Sequence, residues 1–160
     1  MNSIKLKYIL VLLATAWTLA TCVRTQHTEG ILALSNNDSL TIIDAERAIY
    51  SFSMADANCK DAKDMRIGDK VMVDYQGTLP DSAKAYRVRV TEHWLSGIIT
   101  GVDLKHIVIT VGPESFGFDL ENADLKRMHN AQIGKNAVIY YPADLPEKLT
   151  YIPATQVIVD

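Results

Sequence analysis

From about residue 30 onward, this chain is written twice. Gly30-Ile31-Leu32 returns as Gly97-Ile98-Ile99, and Leu40-Thr41-Ile42 returns as Ile107-Val108-Ile109, both 67 positions later. Tyr50-Ser51-Phe52 returns as Phe116-Gly117-Phe118, and the run from Ile67 to Tyr75 returns from Ile133 to Tyr141, both 66 positions later. Leu79-Pro80 falls on Leu145-Pro146, and Val88 and Val90 fall on Val157 and Val159. The blocks keep their order, and the small shifts are confined to polar stretches between them. A tandem duplication explains that pattern. The fold must therefore be one small module made twice.

Each copy holds five strand-like runs. In the first they are Gly30–Ser35, Leu40–Asp44, Ala48–Ser53, Lys70–Gly77 and Ala85–Glu92; in the second, Ser96–Val102, His106–Val111, Ser115–Leu120, Asn136–Tyr141 and Ala154–Val159. Val71, Val73 and Tyr75 alternate with Met72 and Asp74, and Val88 and Val90 alternate with Arg87 and Arg89. This period of two marks strands with one buried and one wet face. Turn formers separate the runs, as at Asn36-Asn37-Asp38 and Gly112-Pro113. A longer polar segment lies between the third and fourth strands of each copy, and Asp124 to His129 reads as a turn or two of helix. Five strands with a helical insertion at that point is the order of an OB barrel; an SH3-like barrel places its helical turn before the last strand.

The expected fold is thus all-β with short helices: two tandem five-stranded OB-like barrels, over residues 30–92 and 96–160, joined near His93-Trp94-Leu95. The expected core of the first is Leu32, Leu40, Ile42, Tyr50, Phe52, Ile67, Val71, Val73, Val88 and Val90. The second repeats it with Ile99, Ile107, Ile109, Phe116, Phe118, Ile133, Ala137, Ile139, Val157 and Val159. A module of about 65 residues buries only ~60% of its unfolded surface, so contact between barrels would help both. Gly68 and Gly134 are expected to turn the chain into the fourth strand, where a left-handed backbone costs glycine little.

Residues 1–22 read as an export signal, and 23–29 as a linker. Lys5 and Lys7 precede a 13-residue uncharged, mostly apolar run from Tyr8 to Ala20. A permanent membrane helix needs about 20 such residues, so the run has the length of a signal segment. It ends in Leu19-Ala20-Thr21-Cys22, which resembles a bacterial lipobox, with Thr21 where a smaller residue is usual. The resemblance implies that Cys22 is lipidated and becomes the first residue of a mature protein anchored in the cell envelope of a bacterium; the acid-free sequence after Cys22 points to the periplasmic side of the outer membrane. The repeated pattern itself (Gly-x-Ile, a hydrophobic hairpin, aromatic-x-aromatic and Ile-Gly-Asp-Lys-Val-x-Val) resembles bacterial periplasmic OB-fold proteins. That resemblance implies a fold and a compartment and carries over no catalytic residue.

Charge narrows the partners. The chain has 16 basic and 19 acidic residues; removing Lys5 and Lys7 with the signal leaves 14 against 19, a balance of −5. Nucleic acid is therefore not the expected ligand, because phosphate neutralisation needs a basic surface. For the same reason Tyr50/Phe52 and Phe116/Phe118 read as core rather than as base-stacking platforms. The histidines His27, His93, His106 and His129 lack zinc-ligand spacing, and Asp56, Asp61 and Asp64 lack the pattern of a calcium loop. Cys59 has no motif around it. No metal, cofactor or catalytic residue is expected, and the chain is not expected to be an enzyme. The expected role is a non-catalytic binding module for a protein or glycan, the alternative being a structural accessory subunit of a larger envelope assembly. Trp94, Arg87 and Arg89 are the candidate contact surface.

Overall fold

The computed structural model describes residues 25–160, apart from 63, 81–82 and 147. The expected signal segment and Cys22 lie outside the described residues. The strands are β1 (Gln26–Ser35), β2 (Ser39–Ile43), β3 (Ile49–Ser53), β4 (Lys70–Gln76), β5 (Ala83–Val102), β6 (His106–Val111), β7 (Glu114–Asp119), β8 (Asp124–Lys126), β9 (Asn136–Pro142), β10 (Ile152–Pro153) and β11 (Gln156–Val159). β1 starts inside the stretch expected as linker and pairs from Gln26, opposite Tyr75 of β4.

Strand order identifies the architecture. In the first copy β1 pairs with β2, β2 with β3, β3 in parallel with the start of β5, β5 with β4, and β4 back with β1. In the second, the end of β5 pairs with β6, β6 with β7, β7 in parallel with β10, β11 with β9, and β9 with β5. Both are five-membered rings in the OB order, with the fifth strand of the second broken into β10 and β11 by Ala154-Thr155.

The polar segments differ from expectation. Asp124-Leu125-Lys126 is not helical; it is β8, lying parallel to β11, and only a 3₁₀ turn, Met128–Asn130, follows. The Asp124 N–H donates to the Thr155 carbonyl at 2.8 Å, so strand pairing outcompetes helix here. The first copy makes the same pairing in miniature, with Asn58 bridging Arg87 in parallel and a 3₁₀ turn at Lys60–Ala62.

The repeat is legible atom by atom. Leu32, Leu40, Ile42, Phe52, Val71, Val73 and Val88 form one fully buried cluster; Ile99, Ile107, Ile109, Phe118, Ala137, Ile139 and Val157 form the other. Tyr50, Val90 and Phe116 pack against these cores half-buried. Ile67 and Ile133 are not core: they are 62% and 71% exposed. Each precedes a glycine with positive φ, +96° at Gly68 and +92° at Gly134, and this left-handed turn throws the preceding side chain outward. The turns are held alike, Gly68 N–H donating to Leu32 O at 2.9 Å and Gly134 N–H to Ile99 O at 2.8 Å.

The largest departure is β5. The two strands expected around His93-Trp94-Leu95 are one continuous strand of 20 residues that closes the first barrel and opens the second. Its pairing with β4 skips one residue at Thr91, a β-bulge. The extra residue switches the inward set from Val88 and Val90 to Leu95, Gly97 and Ile99, so one strand serves two cores.

Candidate functional site

The bulge gathers a polar junction between the barrels. Asp69 is fully buried; its Oδ2 accepts the Arg66 N–H at 2.8 Å and lies 3.0 Å from His93 Nδ1, while its Oδ1 has no hydrogen-bond partner. The His93 ring leans on Tyr141, which in turn contacts Phe118 in the second core. Lys70 and Glu92 form an ion pair at 2.6 Å, with the Lys70 ammonium 4.9 Å from the centre of the Tyr140 ring. Burial holds the Tyr140 hydroxyl above its ordinary pKa, with Glu92 and Asp69 adding to the effect. Asp69 stands where the repeat has Lys135, so this junction is private to the first barrel.

Trp94 belongs to the same junction. Its indole Nε1 donates to the Ile67 carbonyl at 2.9 Å and its ring lies on Gly68, where a Cβ would sit 2.3 Å from Nε1. The indole therefore clamps the left-handed turn of the first barrel to β5, in a cleft shared with Arg66, Leu95 and Val111. Trp94→Ala should cost about 2 kcal/mol through lost packing and one lost hydrogen bond, read as a shift in the denaturation midpoint. The two arginines lie elsewhere. Arg87 and Arg89 face β4 residues Asp74 and Met72, and Arg89 Nη2 reaches Met72 Sδ at 3.1 Å and Asp74 Oδ2 at 3.4 Å. Five residues of strand, about 16 Å, separate Arg89 from Trp94.

Two further surfaces lie on the barrels. The first is an open groove of about 590 Å³ between the barrels. β1 lines it from Thr28 to Ile31 and the β2–β3 hairpin from Ile43 to Glu46; Lys70, Glu92 and, from the second barrel, Gln156 complete it. Its polar groups are held in place. Glu29 accepts from the Thr91 hydroxyl at 3.0 Å, and Asp44 Oδ1 accepts from the N–H groups of Glu46 and Ala48. The clue in the sequence was Gly30, repeated as Gly97. At both, β1 or β5 presses on a neighbouring carbonyl so closely that a Cβ would lie 2.7 Å from Ile43 O or 2.6 Å from Thr110 O.

The second is the outer face of β6 and β7. His106, Val108 and Thr110 stand opposite Asp119, Gly117 and Ser115. Tyr151 stacks on His106 with ring centres 4.1 Å apart and planes 26° apart, and it covers Gly117, where a Cβ would meet the ring at 2.8 Å. Thr110 shares hydrogen bonds with Thr100 at 3.2 Å and Ser115 at 3.0 Å. The corresponding face of the first barrel carries Ser39 and Ser51 in place of His106 and Gly117.

The other residues weighed in the sequence do not converge. Phe52 and Phe118 are fully buried, which places the paired aromatics in the cores. The Cys59 thiol is half-buried, and burial pushes its pKa up, away from the thiolate form. Among the described residues, no group of three or more His, Cys, Asp or Glu is gathered as a metal would require.

No protein-family model matches the chain, and no curated protein matches it. Among solved structures it is similar to drosophila Unr CSD456, at 12% identity and a TM-score of 0.32, covering 86% of this chain and 63% of that one. The chain thus spans less than two thirds of that structure. Its own strand order, rather than this likeness, identifies the barrels.

Proposed function

We propose that the protein is a non-catalytic lipoprotein of the bacterial envelope, anchored through Cys22 on the periplasmic side of the outer membrane, whose paired barrels bind a protein or glycan ligand. The observation that supports a binding role is the groove that both barrels line around Lys70, Glu92 and Gln156. Ligand sites favour such concave seams, with an apolar floor and a few fixed polar groups. Here Ile31, Ile43 and Ala45 supply the floor, and Glu29, Lys70 and Glu92 the fixed polar groups. The acidic balance turns the choice away from phosphate ligands. A second reading, a structural accessory subunit, draws on apolar side chains left outside the cores, among them Leu104, Ile67 and Ile133.

Two experiments test this. A fatty-acid analogue should label the wild type in cells and not Cys22→Ala; equal labelling would remove the anchor. A photo-crosslinking residue placed at Ile31, in the groove, should capture an envelope glycan or protein in intact cells. A single stoichiometric protein partner would favour the accessory reading. No capture from a folded variant would reject the groove, and tight, salt-sensitive binding of single-stranded DNA would overturn the charge argument.

A further inference from the structure

We infer that the groove between the barrels takes an extended, basic segment of a protein, whose lysine or arginine stems lie on its isoleucine floor and whose charged heads reach Glu29 and Glu46. The inference rests on the binding-module reading and names the partner class for the same groove.

The groove is one-sided in charge and in hydrogen bonding. Glu29 on β1 and Asp44 and Glu46 in the β2–β3 hairpin line it, and none of the three is in an ion pair among the described residues. Lys70 is the one cation lining it among the described residues, and it is taken up by Glu92 and the Tyr140 ring. Gln156, from the second barrel, spends its Nε2 on Asp124 at 2.8 Å, which leaves its carbonyl oxygen as an acceptor. Carboxylates and carbonyl oxygens accept and do not donate, so the ligand must bring both the donors and the positive charge. The negative field reaches Tyr50. A hydrogen bond to Asp44, then burial and the charges of Asp44 and Glu46, hold its hydroxyl above the ordinary pKa. The acids are spread rather than gathered, and among the described residues no three converge as a metal would require. Spread acceptors suit a chain that carries several cations, not a single ion.

The floor selects long side chains. Ile31, Ile43 and Ile49 form one cross-strand row over β1, β2 and β3. Ile31 and Ile49 are 39% and 62% exposed, so the row is wet as it stands. Lysine and arginine cover such a surface with their methylene stems while the head group stays outside it. In an extended segment every second side chain faces the same way, so several stems can lie on the row together. Neither the acids nor the row is demanded by the barrel. The second copy closes the same ring with Ser96 and Val111 in place of Glu29 and Asp44, and with Thr110 and Ser115 in place of Ile43 and Ile49. The site also lies apart from the β1–β2 and β4–β5 loops with which OB barrels hold oligonucleotides and oligosaccharides. Those loops meet at the other end of the β2–β3 ladder, where Ser39 pairs with Ser53 and Phe52 with Ala83.

The test is fluorescence anisotropy with the full chain in a neutral detergent, empty micelles giving the background. The probes are labelled heptapeptides that alternate lysine with serine or glutamate with serine, and labelled chitotetraose. The lysine peptide should bind in a saturable way, and the other two should not. Raising the salt from about 50 mM to about 500 mM should weaken binding several-fold, because exposed charges are screened. Glu29→Gln combined with Glu46→Gln should weaken it about fivefold, as loss of two exposed ion pairs would. Glutamine keeps the acceptor oxygen that the Thr91 hydroxyl uses at position 29, and Asp44 is left in place because it holds the hairpin. Ile31→Ser should weaken binding several-fold at unchanged charge, and Glu114→Gln in the second barrel should not alter it. Urea midpoints of each variant separate loss of site from loss of fold. Preference for the glutamate peptide or for chitotetraose would overturn the proposal, as would binding that the paired glutamine variant leaves intact. So would no binding of the lysine peptide. If the crosslinker at Ile31 then captures a glycan, only the partner class falls and the groove remains a binding site; if it captures nothing, both fall.

Discussion

Ile139→Asp should unfold the second barrel and weaken the first with it. Ile139 is fully buried, pairs with Leu95 of β5 and with Val157 of β11, and packs among the apolar residues of the second core. An unpaired carboxylate there must be desolvated or protonated, a cost of about 3–5 kcal/mol or more, comparable to the whole stability of a small barrel. Val73→Asp should do the same from the other side, because Val73 lies between Thr28 of β1 and Val88 of β5. Since β5 belongs to both rings, the wild type should unfold in urea as one transition. Each variant should lose near-UV dichroism and broaden amide resonances in both halves. If either variant unfolds at the wild-type midpoint, the register of that strand is wrong.

Gly30→Val and Gly97→Val should each lower stability by about 2–3 kcal/mol, although neither introduces a charge. At both positions the new Cβ would sit within 2.7 Å of a backbone carbonyl, Ile43 O or Thr110 O, and a ladder strand cannot move aside as a flexible side chain can. The Gly101 position is the control: a Cβ there meets only Val108, at 3.6 Å, so Gly101→Ala should be nearly neutral. Equal urea midpoints for Gly97→Val and Gly101→Ala would show that β5 and β6 are not pressed together at Gly97.

Much of this could be read from the residues, and the rest could not for identifiable reasons. Leu40, Ile42, Val71, Val73 and their counterparts were legible because two copies of one alternation vote for the same face. Ile67 and Ile133 misled because each looks like the first apolar residue of an alternating run. The left-handed glycine that follows breaks the alternation, and periodicity carries no record of φ. The Asp124 segment misled because a capped polar stretch favours helix locally, while the backbone of β11, some 30 residues later, offers pairing that local reasoning cannot weigh. The fused β5 was hidden by the bulge at Thr91, which shifts the alternation and so imitates a break between strands. Among the candidate site residues, Trp94 lies at the junction, its indole on Gly68. Tyr151 was passed over because it lies outside every strand run, and only the barrel brings it over Gly117.

The continuous β5 leaves no slack between the barrels. A flexible linker would let the groove sample many distances from the outer face of β6 and β7, and bivalent capture would then depend only weakly on how a target is spaced. A single hydrogen-bonded strand acts instead as a ruler. A polymer whose repeating units match the separation of the groove and the β6–β7 face would meet both at once, and one whose units fall out of step would meet only one. Insertion of two residues in β5 would keep every side chain on its face while lengthening the ruler by about 7 Å. The preferred spacing of any bivalent target should move with it.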